Sequence, residues 1–194
     1  MRKNKKQEVR GKKPEARKEE GALKKTIFSF FVIVLTVCAM NSFAAEGEKK
    51  GGGKPVVTIE TERGTIVFEM YPDVAPKTVA RVSQLIEKGF YNGLTFHRVE
   101  PGFVIQGGDP KGDGSGGSGV NIPAEFNKKT HATGTVAMAR AMDPNSADSQ
   151  FYICLAPQPF LDGKYTVFGQ VTQGLDVIQK IKVGDAMKKV TLKK

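Results

Sequence analysis

Residues 96–109 read FHRVEPGFVIQGGD: Phe96-His97-Arg98-Val99-Glu100-Pro101-Gly102-Phe103-Val104-Ile105-Gln106-Gly107-Gly108-Asp109. Two short apolar runs, 94–99 and 103–106, flank Glu100-Pro101-Gly102, where proline presets φ and glycine opens the left-handed region that a tight turn uses. They therefore read as two neighbouring antiparallel strands. Successive side chains on a strand alternate faces, so Phe96 and Arg98 are expected opposite His97, and Val104 and Gln106 opposite Phe103 and Ile105. One arginine and one glutamine then share a concave face. Gly107-Gly108 needs only a turn, and His97 reads as a hydrogen-bonded scaffold histidine.

The period of two continues on both sides. Val57 and Ile59, then Ile66, Phe68 and Met70, alternate with polar or small residues around the turn Glu62-Arg63-Gly64, which predicts a hairpin. A helix is predicted from Pro76, which suits a first helical position, through the stripe Val79, Val82, Leu85 and Ile86 to Lys88, with Gly89 as its left-handed cap. Further strands are predicted at 134–139, 149–155, 166–169 and 189–192, and a second helix at 175–181. Short strands with only two helices and no βαβα rhythm give an all-β class: an antiparallel barrel or sandwich with helices over its open ends.

Of the 194 residues, the basic ones are unevenly placed. Residues 1–25 form a leader of net charge +7, residues 26–45 carry no charge, and residues 46–194 carry +3. A near-neutral folded part has no clustered basic face for phosphate backbones, so no nucleic-acid partner is expected. The apolar run 27–40 (IFSFFVIVLTVCAM) follows Lys24-Lys25 and precedes Ser42-Phe43-Ala44-Ala45. Basic, apolar and small-residue blocks in that order predict a secretory signal cleaved after Ala44. The run is shorter than the ~20 residues of a membrane-spanning helix, and an uncleaved inner-membrane anchor is the alternative. Residues 46–54, with Gly51-Gly52-Gly53, read as a flexible linker, and 55–194 as one domain. The expected product is a periplasmic or otherwise extracytoplasmic monomer, with no membrane contact after cleavage. Its lone Cys154 excludes an internal disulfide and must be buried.

The chemical inventory is thin. His97 and His131 alone cannot hold a metal, no Cys pair or Gly-x-Ser-x-Gly is present, and carboxylates are scattered singly, so neither metal nor cofactor is expected. Residues 109–119 (DPKGDGSGGSG) contain Gly112-x-Gly114-x-x-Gly117, but no helix follows to meet a pyrophosphate. The stretch reads as a mobile surface loop.

With these residues in view, the sequence resembles the cyclophilins, the peptidyl-prolyl cis/trans isomerases. The resemblance rests on residues 96–109 together with Met138-Ala139-Arg140-Ala141, Ser149-Gln150-Phe151-Tyr152-Ile153 and residues 160–169 (FLDGKYTVFG), and covers 56–192. It implies a closed eight-stranded antiparallel β-barrel capped by two helices. It implies isomerisation of X-Pro bonds in proline-containing polypeptides, with Arg98 matching the family's catalytic arginine. Phe103, Val104, Tyr152 and Leu161 would line the proline pocket, Gln106 would bond the peptide backbone, and Ala139, Arg140, Gln150, Phe160 and Tyr165 would form the groove. The chain departs from the family at four of these. Tyr152 stands where Phe is usual, Phe160 where many members have Trp, Tyr165 where many have His, and Arg140 where Asn is frequent. The phenol of Tyr152 would face an apolar floor and needs a partner or water. Retention of Arg98 and Gln106 favours an enzyme that assists folding of exported proteins; a weakly catalytic proline-peptide-binding module or holdase is the alternative.

Overall fold

The computed structural model describes residues 53–194. The expected leader, signal run and cleavage site, and the expected linker as far as Gly52, lie outside the described residues. Among those described, no helix is long and apolar enough to cross a membrane.

The predicted hairpin forms as β1 (Val56–Thr61) and β2 (Gly64–Met70), with Val57 opposite Phe68 and Ile59 opposite Ile66. Helix α1 (Pro76–Glu87) buries Val79, Val82, Leu85 and Ile86, the stripe its sequence period placed together. Its first turn has no side-chain cap from the Ala75 N-cap; the Glu125 carboxylate, 48 residues on from Lys77, accepts from the backbone N–H groups of Lys77 and Thr78 at 2.9 and 2.8 Å. Then come β3 (Phe96–Glu100), β4 (Val104–Gly107), β5 (Thr135–Met138), β6 (Phe151–Cys154), β7 (Val167–Gln173), α2 (Leu175–Ile178) and β8 (Lys189–Lys193). Helix α2 is shorter than the expected 175–181, because Lys180 donates to Val177 O, three residues back, and the chain tightens out of the α geometry.

The eight strands of the described residues lie in one antiparallel sheet ordered β3-β4-β6-β5-β7-β2-β1-β8. The expected closed barrel is therefore corrected to an open, strongly curved sheet with β3 and β8 at its edges. The segment before β8 turns at Gly184 (φ +90°) and forms one isolated bridge, Ala186 to Thr95, the residue that precedes β3. Four backbone hydrogen bonds between residues 93–96 and 184–187 cover the β3 edge without extending the ladder.

A second correction decides where Arg98 points. Phe96 pairs with Gly107 and Arg98 with Gln106, so two residues of β3 oppose one step of β4: a bulge at His97. It breaks the strict alternation, letting Phe96 enter the main core fully buried while Arg98 faces outward beside Gln106. His97, expected to be hydrogen-bonded, has no partner on either ring nitrogen among the described residues.

Alternation elsewhere sorts the sheet into two faces. Ile105, Phe151 and Ile153 join Phe68, Phe168 and Met138 in the main core under the helices. Val104, Tyr152, Cys154, Ala137, Val167 and Leu161 form a smaller apolar cluster on the other face, with Phe103, Ala139 and Tyr165 packed at its margin. That second cluster is the floor of the candidate site.

Candidate functional site

A cavity of about 130 Å³ opens over this floor, walled by Arg98, Phe103, Val104, Gln106, Ala139, Arg140, Tyr152, Leu161 and Tyr165. Nine residues implied by the resemblance thus share one cavity. The other two lie beside it. Gln150 borders an adjoining cavity of about 260 Å³ that shares Gln106, Ala139 and Arg140 with the first. Phe160, 58% exposed, stacks on Phe103 at a ring separation of 5.9 Å and forms the rim.

Strand pairing explains the convergence. Gln106 of β4 and Ala137 of β5 both pair with Tyr152 of β6, so the Tyr152 ring sits at the centre of the floor. Ala139, just past β5, donates its N–H to Gln150 O at 3.0 Å. Leu161 arrives on the single turn Pro159–Leu161, which Gln158 anchors by donating from its side chain to Gly102 O (2.9 Å) and from its backbone to His131 O (2.7 Å).

The polar edge is an ordered chain of donors. Arg98 Nη1 reaches Gln106 Oε1 at 3.4 Å, Gln106 Nε2 donates to Gln150 Oε1 at 2.9 Å, and Gln150 Nε2 donates to the carbonyls of Gly114 and Gly116 at 2.9 and 2.8 Å. This chain fixes the Gln106 amide orientation, with its oxygen toward the guanidinium. The glycine-rich loop expected to be mobile therefore braces the site. Its first residue, Asp109, is buried; burial alone would raise its pKa, but N–H donors from Lys111, Asp113 and Gly114 prevail and hold the carboxyl below its usual range. Arg98 also pairs with Glu100 at 3.5 Å and lies 5.6 Å from the Phe103 ring centre, so its fork is confined on two sides.

Arg140 is used differently from Arg98. Its guanidinium stacks 4.7 Å from the Tyr165 ring and donates to the carbonyls of Ala141, Met142 and Lys164. It ties two loops into one wall, which an asparagine could not span.

Sequence reasoning missed His131 and Asp162. The Tyr152 hydroxyl lies 3.0 Å from His131 Nε2, and His131 Nδ1 lies 2.8 Å from Asp162 Oδ1, which also accepts the His131 backbone N–H at 2.7 Å. The sole signal was the phenol itself, a hydroxyl on an apolar floor that required a partner. Burial raises the Tyr152 pKa, so the phenol stays protonated, while the hydrogen bonds from the His131 side chain and backbone lower that of Asp162. A depressed carboxylate contributes stability that is complete above its unfolded pKa of ~3.9 and is lost as pH falls through the folded value. Urea midpoints are therefore expected to show wild type ahead of Asp162→Asn at about pH 5, with the margin narrowing below about pH 4.

The family described as "Cyclophilin type peptidyl-prolyl cis-trans isomerase/CLD" matches residues 56–194. A peptidyl-prolyl cis-trans isomerase of Synechococcus elongatus is 48% identical over 136 residues, spanning 69% of this chain and 93% of the relative. Peptidyl-prolyl cis-trans isomerase B of Bacillus subtilis is 51% identical over 127 residues, spanning 64% and 88%. Among solved structures, a Cryptosporidium parvum cyclophilin type isomerase determined in the presence of the dipeptide Ala-Pro superposes with a TM-score of 0.67 at 29% identity, covering 72% of this chain and 99% of that one. With its sheet, its match over the whole described domain and its near-full coverage of curated relatives, the chain belongs to the cyclophilin-type peptidyl-prolyl cis-trans isomerase family.

Proposed function

We propose that the groove takes an X-Pro segment with the proline ring in the 130 Å³ cavity, and that Arg98 is the catalytic residue. The reaction is rotation about the X-Pro peptide bond. Rotation must break amide resonance across a barrier of ~18–20 kcal/mol, although cis and trans differ by only ~0.5–1 kcal/mol. At the twisted transition state the proline nitrogen regains a lone pair and accepts a hydrogen bond that the planar amide cannot. A guanidinium fixed at that point binds the transition state better than either ground state. A charge-assisted bond contributes ~1.5–3 kcal/mol, while an acceleration of about 10⁵ needs ~7, so orientation and a dry floor supply the rest. Gln106 holds the peptide backbone, and Phe103, Val104, Leu161 and Tyr152 exclude water from the ring. The observation that carries this reading is the Arg98 guanidinium, braced by Gln106 and the Phe103 ring, at the edge of a pocket floored by Val104, Tyr152 and Leu161.

An exchange assay by NMR, or a protease-coupled assay, on a short Ala-Pro peptide tests it. Catalysed exchange is expected; binding without faster exchange would make the groove a proline-peptide holdase instead.

The blocks at 24–45 support a role outside the cytoplasm, in the folding of exported proteins. The mature protein is expected in a periplasmic fraction, beginning at Ala45 on amino-terminal sequencing. Recovery of the full-length chain in washed membranes would replace this with an anchored enzyme.

A further inference from the structure

The Tyr152 ring is both the centre of the pocket floor and the bearer of its buried hydroxyl, and among the described residues the hydroxyl has one partner, His131. The His131 side chain is fully buried, and its ring lies nearly parallel to that of Tyr152, at 15° and 6.0 Å between centres. A carboxylate can only accept, so the hydrogen between His131 and Asp162 resides on Nδ1, and in the tautomer that carries its one hydrogen there Nε2 is an acceptor aimed at the phenol. Asp162 Oδ1 grips both the backbone N–H and the ring of the histidine, fixing its tautomer and its rotamer at once.

We infer that His131, held by Asp162, is a positioning residue of the proline pocket: by accepting the Tyr152 hydroxyl it pins the aromatic floor open. A buried phenol deprived of its acceptor turns toward water, and the open volume its ring borders is the 130 Å³ cavity itself. The ring would then stand where the proline must bind. The effect falls on substrate binding, because the Arg98 edge of the site is built on β3 and β4 and does not pass through His131.

This inference rests on the proposal that this cavity is the proline site, and a double-mutant cycle with an Arg98→Ala control separates the two. His131→Leu keeps an apolar group of similar bulk and removes the acceptor. It is expected to lower kcat/KM about tenfold through KM, with kcat within about twofold. In a Tyr152→Phe background, which has no hydroxyl to strand, the same substitution is expected to change kcat/KM by less than about threefold. His131→Gln, which restores an acceptor, is expected to recover most of the loss; if the leucine variant does not fold, Asp162→Ala, which releases the histidine from its holder, is expected to raise KM in the Tyr152 background and not in the Tyr152→Phe background. A folded His131→Leu protein with wild-type KM would overturn the inference, as would a loss of equal size in both backgrounds. An unimpaired Arg98→Ala protein beside an impaired His131→Leu would instead remove the Arg98 mechanism and leave the positioning role standing.

Discussion

Arg98→Ala is expected to lower kcat/KM on an Ala-Pro peptide by roughly ten- to a hundredfold or more, with little change in the unfolding midpoint. The two halves of that expectation come from different features. Arg98 is about half exposed, and its ion pair with the equally exposed Glu100, at 3.5 Å, contributes under ~1 kcal/mol to stability. A surface charge with no other task would leave activity as it was. Its guanidinium, however, lies on the wall of the cavity, confined by the Phe103 ring and directed by the Gln106 oxygen. A bond made to the pyramidal proline nitrogen and absent in the planar amide appears wholly in the rate. Arg98→Lys is expected to be nearly as damaging, since an ammonium on a flexible stem cannot present a planar fork. Near-wild-type kcat/KM in a folded Arg98→Ala protein would remove this mechanism.

Gly108→Ala carries the largest expected effect on stability, about 3 kcal/mol, read as a fall of roughly 1–2 M in the urea midpoint. Gly108 has φ +87°, and a Cβ there would lie 2.5 Å from Ser149 O, 3.1 Å from Tyr91 Cε1 and 3.2 Å from Gln150 Cα. The backbone cannot retreat cheaply. Ser149 O accepts the buried Tyr91 hydroxyl at 3.0 Å, and Ser149 Oγ donates to Gly108 O at 2.7 Å. Left-handed strain of ~1–2 kcal/mol and overpacking of ~1–3 kcal/mol therefore add. Any shift also displaces Gln150 and with it the hydrogen bond that sets Gln106, so activity is expected to fall alongside stability. Gly163→Ala isolates the strain: φ is +69° there, but nothing lies within 4 Å of the new methyl. If Gly108→Ala proved no more destabilising than Gly163→Ala, the close approach at Ser149 would not matter. The pair Gly107-Gly108, for which a simple turn sufficed as a sequence reading, is thus a packing requirement at its second position.

What could be read in advance divides by range. The period of two in Val57–Ile59 and Ile66–Met70, and the helical stripe from Val79 to Ile86, are local and became β1, β2 and α1 with the expected inward residues. The face shared by Arg98 and Gln106 was anticipated, but through an alternation that the bulge at His97 breaks, because a single inserted residue leaves no periodic trace. The site residues came as a set from the resemblance of 96–109, 138–141, 149–153 and 160–169, not from pattern. The Tyr152–His131–Asp162 chain joins positions 21 and 31 residues apart across separate segments, and no local spacing encodes it. The open edge between β3 and β8 was likewise invisible, since strand count alone does not say whether the last ladder forms.

Cys154 lies on β6, a strand flanked by β4 and β5, with no surface exposed and its thiol pushed by burial up to about 12. An oxidant or alkylating reagent needs both access and thiolate, and the folded domain offers neither. A chain starting at Ala45 would hold this sulfur alone, so its rate of modification counts the excursions in which the centre of the sheet comes apart. The domain thereby carries its own clock of global opening, readable by mass in a crude extract without any label introduced.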